Sequence, residues 1–205
     1  MAKIKLTKNE AKKQRDLLAM YRRYLPTLIL KQQQLQAEIR ITDARIIELK
    51  AEKDRVDEIF KSWIAVFGEK DVFTPDILKI IRINTAQGNI AGVSIPLFRG
   101  AEFEITPYDL GRLPLWIDIA IERLQQVLLI DLEAQIVEEQ RRRLYQELRI
   151  TTQRVNLFEK VKIPETKSNI KKIQVYLGDQ QVAAIVRGKI AKRGLEKATQ
   201  RGKNP

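Results

Sequence analysis

The 205-residue chain contains neither cysteine nor histidine. Their absence removes disulfides, thiol nucleophiles, zinc sites of the usual ligand type and imidazole acid–base chemistry. Glycine, proline and aromatics are scarce while 31% of residues are charged, a balance that favours helix over a β-sandwich or barrel. No run of about 18 uncharged apolar residues occurs, so no helix is expected to span a bilayer. The richest apolar stretch, Leu113 to Ile121, is interrupted by Pro114 and Asp118. The opening segment has no apolar core of signal-peptide length. The expectation is a cytosolic protein, and the lack of cysteine fits a reducing compartment.

The net charge is +12, and its placement is uneven. Residues 1–31 carry nine Lys/Arg against two acids, and residues 187–205 carry seven against one. The 155 residues between them are almost neutral, with 22 Lys/Arg and 23 Asp/Glu. The positive charge therefore belongs to the two ends of the chain.

Two long segments show helical periodicity. Thr7-x-x-Glu10 is a capping box that starts a helix near Lys8. From Leu18 a 3–4 spacing runs through Tyr21, Leu25, Leu28, Gln32, Leu35, Ile39, Thr42, Ile46, Leu49, Lys53, Val56, Phe60, Trp63 and Phe67. A heptad seam sustained this long predicts a coiled coil, stopped by Gly68. After Pro107 and Pro114 the spacing returns in Trp116, Ala120, Arg123, Val127, Ile130, Ala134, Val137, Arg141, Leu144, Leu148, Thr151, Val155 and Phe158. Glu138–Arg142 and Glu139–Arg143 are i,i+4 pairs of favourable polarity on this helix. Pro26 is expected to bend the first helix. Pro164 marks a kink or break in the second, with Lys162-Ile163 distorted before it. Ile170, Ile173, Leu177, Gln180, Ala184 and Arg187 then resume the spacing. Beside the main seam, Ile117, Ile121, Leu124 and Leu128 form a second apolar stripe, and a helix apolar on two sides must be buried on two sides.

Between the helices the composition changes. Lys79 to Thr85 alternates and is rich in isoleucine; Gln87-Gly88-Asn89 reads as a turn and Ile90 to Ile95 as a returning strand, with Arg99 to Ile105 a weaker one. Such a hairpin is marginal alone and must pack on something. Its polar side chains Arg82, Asn84, Thr85, Gln87 and Asn89, on a partly anchored element, suit a modulating contact. The predicted organisation is mainly α: a long antiparallel two-helix coiled coil with a small β-hairpin insert. The segments are a first helix over 1–67, the insert over 68–114, a second helix over 115–193 and a basic disordered tail over 194–205. This topology brings both basic ends to one tip.

Catalytic readings fare poorly. The stretch ending Gly188-Lys189-Ile190 resembles a P-loop only superficially, with Ala183 where the first glycine is needed and Ile190 where the Mg²⁺ hydroxyl belongs. Carboxylate pairs such as Asp54 with Asp57 and Glu58, or Glu138 with Glu139, read as a solvated helix face. No cofactor or metal is expected. Nucleic-acid binding would suit the basic ends, but they carry almost no aromatics for stacking, so no nucleic-acid partner is expected. A basic-tipped coiled-coil scaffold or membrane tether is compatible with the heptads alone.

Several blocks resemble the D subunit of V-type and archaeal A-type rotary ATPases. They are Lys5 to Glu10, Tyr24 to Leu28 with Leu30-Lys31, Arg154 to Val161 with Ile163-Pro164, Tyr176 to Gln181, and Val186 to Lys192. They span nearly the whole chain in the family's order. The resemblance implies a non-catalytic central stalk that couples a headpiece of A and B subunits to an ion-translocating membrane ring. It also implies contacts with a small F subunit and a socket subunit, and a peripheral place on the cytoplasmic face of the membrane. On that reading Lys3, Lys5, Lys8, Lys12, Lys13, Arg187, Lys189, Lys192 and Arg193 are the expected headpiece contacts. Ile117, Ile121, Leu124 and Leu128 would meet the F subunit or the hairpin.

Overall fold

A computed structural model describes residues 4–67, 77–107 and 116–201, with the side chains of Phe60, 62–67 and 196–201 outside the description. Helix α1 spans Lys8–Phe67. Strands β1 (Leu78–Ile90) and β2 (Val93–Ile105) follow, then α2 (Ile117–Asn156), a π-helical turn (Leu157–Lys162) and α3 (Ile163–Arg201). The fold is mainly α with one antiparallel hairpin between the helical segments. Gly68, the expected stop, lies outside the described residues.

Thr7 caps α1: its Oγ1 accepts the Glu10 N–H at 3.2 Å. The reciprocal half of the capping box is replaced, because the Glu10 carboxylate accepts from Gln14 Nε2 at 2.9 Å. Pro26 sits inside α1 without ending it. Pro164 does not end the second helical segment either. The turn before it widens instead, so that the Ile163 N–H reaches five residues back to the Phe158 carbonyl. This widened turn lies where the Pro164 ring would otherwise meet the Lys160 carbonyl. Helix α3 then continues through Gly178, Gly188 and Gly194 to Arg201, into the segment expected to lose order.

The chain divides into two compact units. Unit 1 comprises Met1–Ile29 and Thr152–Pro205, and unit 2 comprises Leu30–Thr151.

In unit 2 the α1 seam is buried at Leu35, Ile39, Thr42, Ile46 and Leu49, with steps of four and three residues. Opposite it on α2 are Val137 and Leu144. Thr42 is tolerated in this seam because its hydroxyl donates to the Glu38 carbonyl at 2.8 Å. Among the described residues, four ion pairs cross the helices: Lys31–Glu147, Asp43–Arg141, Arg45–Glu133 and Lys53–Asp131. Their partners descend along α2 as they ascend along α1, which makes the pairing antiparallel. The hydrogen bond that Arg45 donates to Glu133 raises the Arg45 pKa, and the one that Lys53 donates to Asp131 raises the Lys53 pKa. All four pairs are partly exposed and contribute at most about 1 kcal/mol each. They fix alignment, while buried Leu and Ile, worth about 1.5–3 kcal/mol apiece, supply the stability. On α2, Glu139 pairs with both Arg142 and Arg143, whereas Glu138 faces Arg141 rather than Arg142.

The hairpin differs from its expected form. The turn is Ala91-Gly92, with φ of 50° and 79°, flanked by the pair Ile90↔Val93. Two successive positive φ angles suit a two-residue hairpin turn. Asn89 supports it, its Oδ1 accepting the Gly92 N–H at 2.9 Å. Gly88 lies inside β1, where a Cβ would come within 2.9 Å of Leu97 Cδ1. It is a packing glycine. The two expected return strands are one continuous β2. Register shifts between Ile80 and Arg82 and between Asn84 and Thr85 leave Ile81 and Arg99 without partners in the ladder.

Both ends of the hairpin are anchored. Near the turn, Ile90, Ala91, Val93, Ile95 and Leu97 pack with Leu35, Ile39, Leu144 and Leu148. Ile95 is 1% exposed. At the base, Ile77, Leu78 and Phe103 pack with Ile117, Ile121, Leu124 and Leu128. Gln140 Nε2 and an Arg143 nitrogen donate to the Pro96 and Ser94 carbonyls at 2.6 and 3.2 Å. The partly anchored hairpin expected from its composition is thus corrected: apolar residues of β2 make it part of the unit 2 core.

Candidate interaction surface

The basic side chains inferred from sequence fall in unit 1. Lys5, Lys8, Lys12 and Lys13 lie at the start of α1 or just before it, and Arg187, Lys189, Lys192 and Arg193 lie on α3; all are exposed. Lys3 is outside the described residues. Burial on α3 includes Thr166, Asn169 and Ile173 and fades at Leu177 and Gly178. From Asp179 to Leu195 every residue except Ala183 is exposed. At 1.5 Å per residue, Arg187 lies about 21 Å along the helix from Ile173.

That exposed segment is not merely basic. Val175, Val182, Ile185, Val186 and Ile190 are 49–65% exposed. Ile173 is fully buried, and Val182 follows it by nine residues, about two and a half helical turns. Val182 therefore points away from the buried side. Val175, Ile185, Val186 and Ile190 stand seven before, three after, four after and eight after Val182, so they share its face. The result is an apolar stripe on the side of α3 opposite its seam, with Lys189 and Arg193 interspersed. Sequence reasoning followed the seam through Gln180, Ala184 and Arg187 and missed this second periodicity, although it is present in the spacing of the valines and isoleucines.

The other candidates sort by exposure. Ile117 and Ile121 are buried and Leu124 and Leu128 half-buried, all in the cluster at the hairpin base. Arg82, Thr85, Gln87 and Asn89 are exposed, while the half-buried Asn84 donates from Nδ2 to Glu102 at 2.8 Å. Residues 183–190 are continuous helix, so their backbone N–H groups are used in the helical ladder rather than gathered around a phosphate. Glu139 is held at about 2, chiefly by hydrogen bonds from Arg142 and then Arg143. A carboxylate so stabilised stays ionised and cannot serve as a general acid near neutral pH. Among the described residues no cluster of acidic side chains is arranged to hold a metal, and no helix is long and apolar enough to cross a membrane.

The exposed part of α3 thus presents an apolar face with cationic side chains interspersed. The family model for the D subunit of ATP synthase matches residues 10–193. The V-type ATP synthase D subunit of Borreliella burgdorferi is 51% identical over 198 residues, covering 96% of this chain and 97% of that one. The proteins of the same name from Chlamydia muridarum and Chlamydia pneumoniae are each 32% identical, with at least 95% of every chain covered. The chain belongs to the ATP synthase D-subunit family and is a non-catalytic component of the V-type complex.

Proposed function

We propose that this chain is the central axle of a V-type rotary ATPase, transmitting torque between a nucleotide-processing headpiece of A and B subunits and an ion-translocating membrane ring. The single observation that supports it best is the α3 stripe of Val182, Ile185, Val186 and Ile190, apolar and exposed on the face opposite the seam. An axle must fit within a collar of other subunits without being gripped at one orientation. Apolar contact is non-directional and suits this, and individually weak exposed charges suit it too. On this reading Arg187, Lys189, Lys192 and Arg193, with the lysines at the start of the chain, line the same bearing. The small F subunit and the socket subunit complete the stalk on the cytoplasmic face. The outward hairpin residues Arg82, Thr85, Gln87 and Asn89 are a contact that modulates turnover.

Reconstitution with the A and B subunits tests the proposal. Replacing Val182, Ile185, Val186 and Ile190 together by Ser should leave the circular dichroism spectrum and thermal midpoint of the isolated chain unchanged, because these side chains are exposed. The variant should fail to co-purify with the headpiece. Full assembly with unchanged ATP turnover would sink the bearing role of this stripe.

A further inference from the structure

Within unit 1, departures from regular helix coincide with a lapse in packing. Pro26 has no N–H, so α1 lacks the ladder bond to the Arg22 carbonyl. The turn Leu157–Lys162 is π-helical, and Pro164, again without an N–H, follows two residues later. None of the six residues of the π turn is buried. Val155 and Thr166 are buried on either side of it, yet no residue from Asn156 to Glu165 is. On α1, likewise, no residue from Lys12 to Ile29 is buried, although Leu17, Leu18, Leu25 and Leu28 are available to be. Across this gap Tyr21 meets Phe158 with ring centroids 5.0 Å apart and planes inclined at 53°.

A helix resists bending and twisting through its hydrogen-bond ladder, and a helix pair resists shear through interlocked side chains. Here both sources of stiffness are interrupted in the same unit. We infer that Leu157–Lys162, with the Pro26 region of α1, is a swivel: the part of unit 1 where α3 bends and turns against α1 most easily, pinned by the Tyr21–Phe158 contact. The inference does not depend on the rotary reading. Under that reading, it identifies where the axle would store elastic twist.

Hydrogen exchange followed by mass spectrometry on the full chain tests it. Low local packing, a widened turn and the N–H donors missing at Pro26 and Pro164 give low opening free energy. Amides from Leu157 to Thr166 should therefore exchange at least about tenfold faster than those from Leu144 to Val155. A π turn is one residue more than an α-helix needs. Deleting Lys160 together with Pro164→Ala should therefore restore the ladder and slow these amides to the flanking rate. Phe158→Ala, which removes the pin and leaves the turn, should speed exchange from Thr152 to Ile170 while leaving Leu35 to Leu49 as before. Protection at Leu157–Thr166 equal to that of Leu144–Val155 would overturn the swivel. So would a Phe158→Ala variant with unaltered exchange, which covers the case where the deletion variant does not fold.

Discussion

Gly88 shows how the role of a residue depends on its neighbours. As the middle of Gln87-Gly88-Asn89 it suggests a turn, but in β1 it makes room for Leu97, whose Cγ would lie 3.1 Å from an added Cβ. Gly88→Ala should cost about 1 kcal/mol through overpacking. In a Leu97→Ala background the same change should be nearly neutral. Urea unfolding of the four proteins of that cycle checks it, and additive effects would deny the contact. Glu139 carries a second prediction. Its folded pKa of about 2 lies below the ordinary 4.5, so its favourable interaction is complete above 4.5 and is lost as pH falls through about 2. A carboxyl ¹³C titration should give a midpoint near 2 in the parent chain, and Arg142→Ala should move it upward, Arg142 being the largest cause.

Among the elements, the hairpin changes most between sequence and structure. Its tip belongs to the core of unit 2, so Ile95→Ala should cost about 2–5 kcal/mol, as for other large-to-small changes at fully buried sites. Replacing residues 84–92 by a Gly/Ser turn should lower the thermal midpoint rather than leave it unchanged, since it uncovers Leu35 and Leu144. The exposed side chains allow structure and regulation to be separated. Changing Arg82, Thr85 and Gln87 together to Ala, and sparing Asn89 because it holds the turn, should leave the melting curve unchanged and alter ATP turnover in the reconstituted complex. A lowered melting point with unaltered turnover would make the hairpin structural alone.

For the whole molecule, the proposed axle role raises the question whether charge or apolar surface would hold the headpiece. Lys and Arg crowd both ends of the chain, but exposed charges are screened beyond about 8 Å at physiological ionic strength. The apolar face of α3 loses little to salt. Affinity for the headpiece should therefore fall only modestly from low to physiological ionic strength, and calorimetry should show a negative heat-capacity change on binding. Reversing Arg187, Lys189, Lys192 and Arg193 together to Glu should weaken association more than any single reversal. A hundredfold loss of affinity with salt alone would assign the main role to the basic collar.

The sequence by itself determined the helical class, the first helix start at Lys8, the burial of Leu35, Ile39, Thr42, Ile46 and Leu49, and the D-subunit family. Each is written in local periodicity or in ordered blocks, which need no knowledge of distant partners. The hairpin turn was illegible because Ala91 is an unusual residue for positive φ, whereas Gly88-Asn89 offers commoner turn residues three positions earlier. Helical spacing resumes after Pro164 in the sequence, but the form of the distortion was illegible because proline forbids one hydrogen-bond pattern without saying whether the turn breaks or widens. Which apolar residues of α3 would remain exposed was also undecided, since periodicity marks a stripe but not what covers it. Tertiary structure settled these points because each depends on residues far apart in sequence, or on geometric choices open to the same local chain.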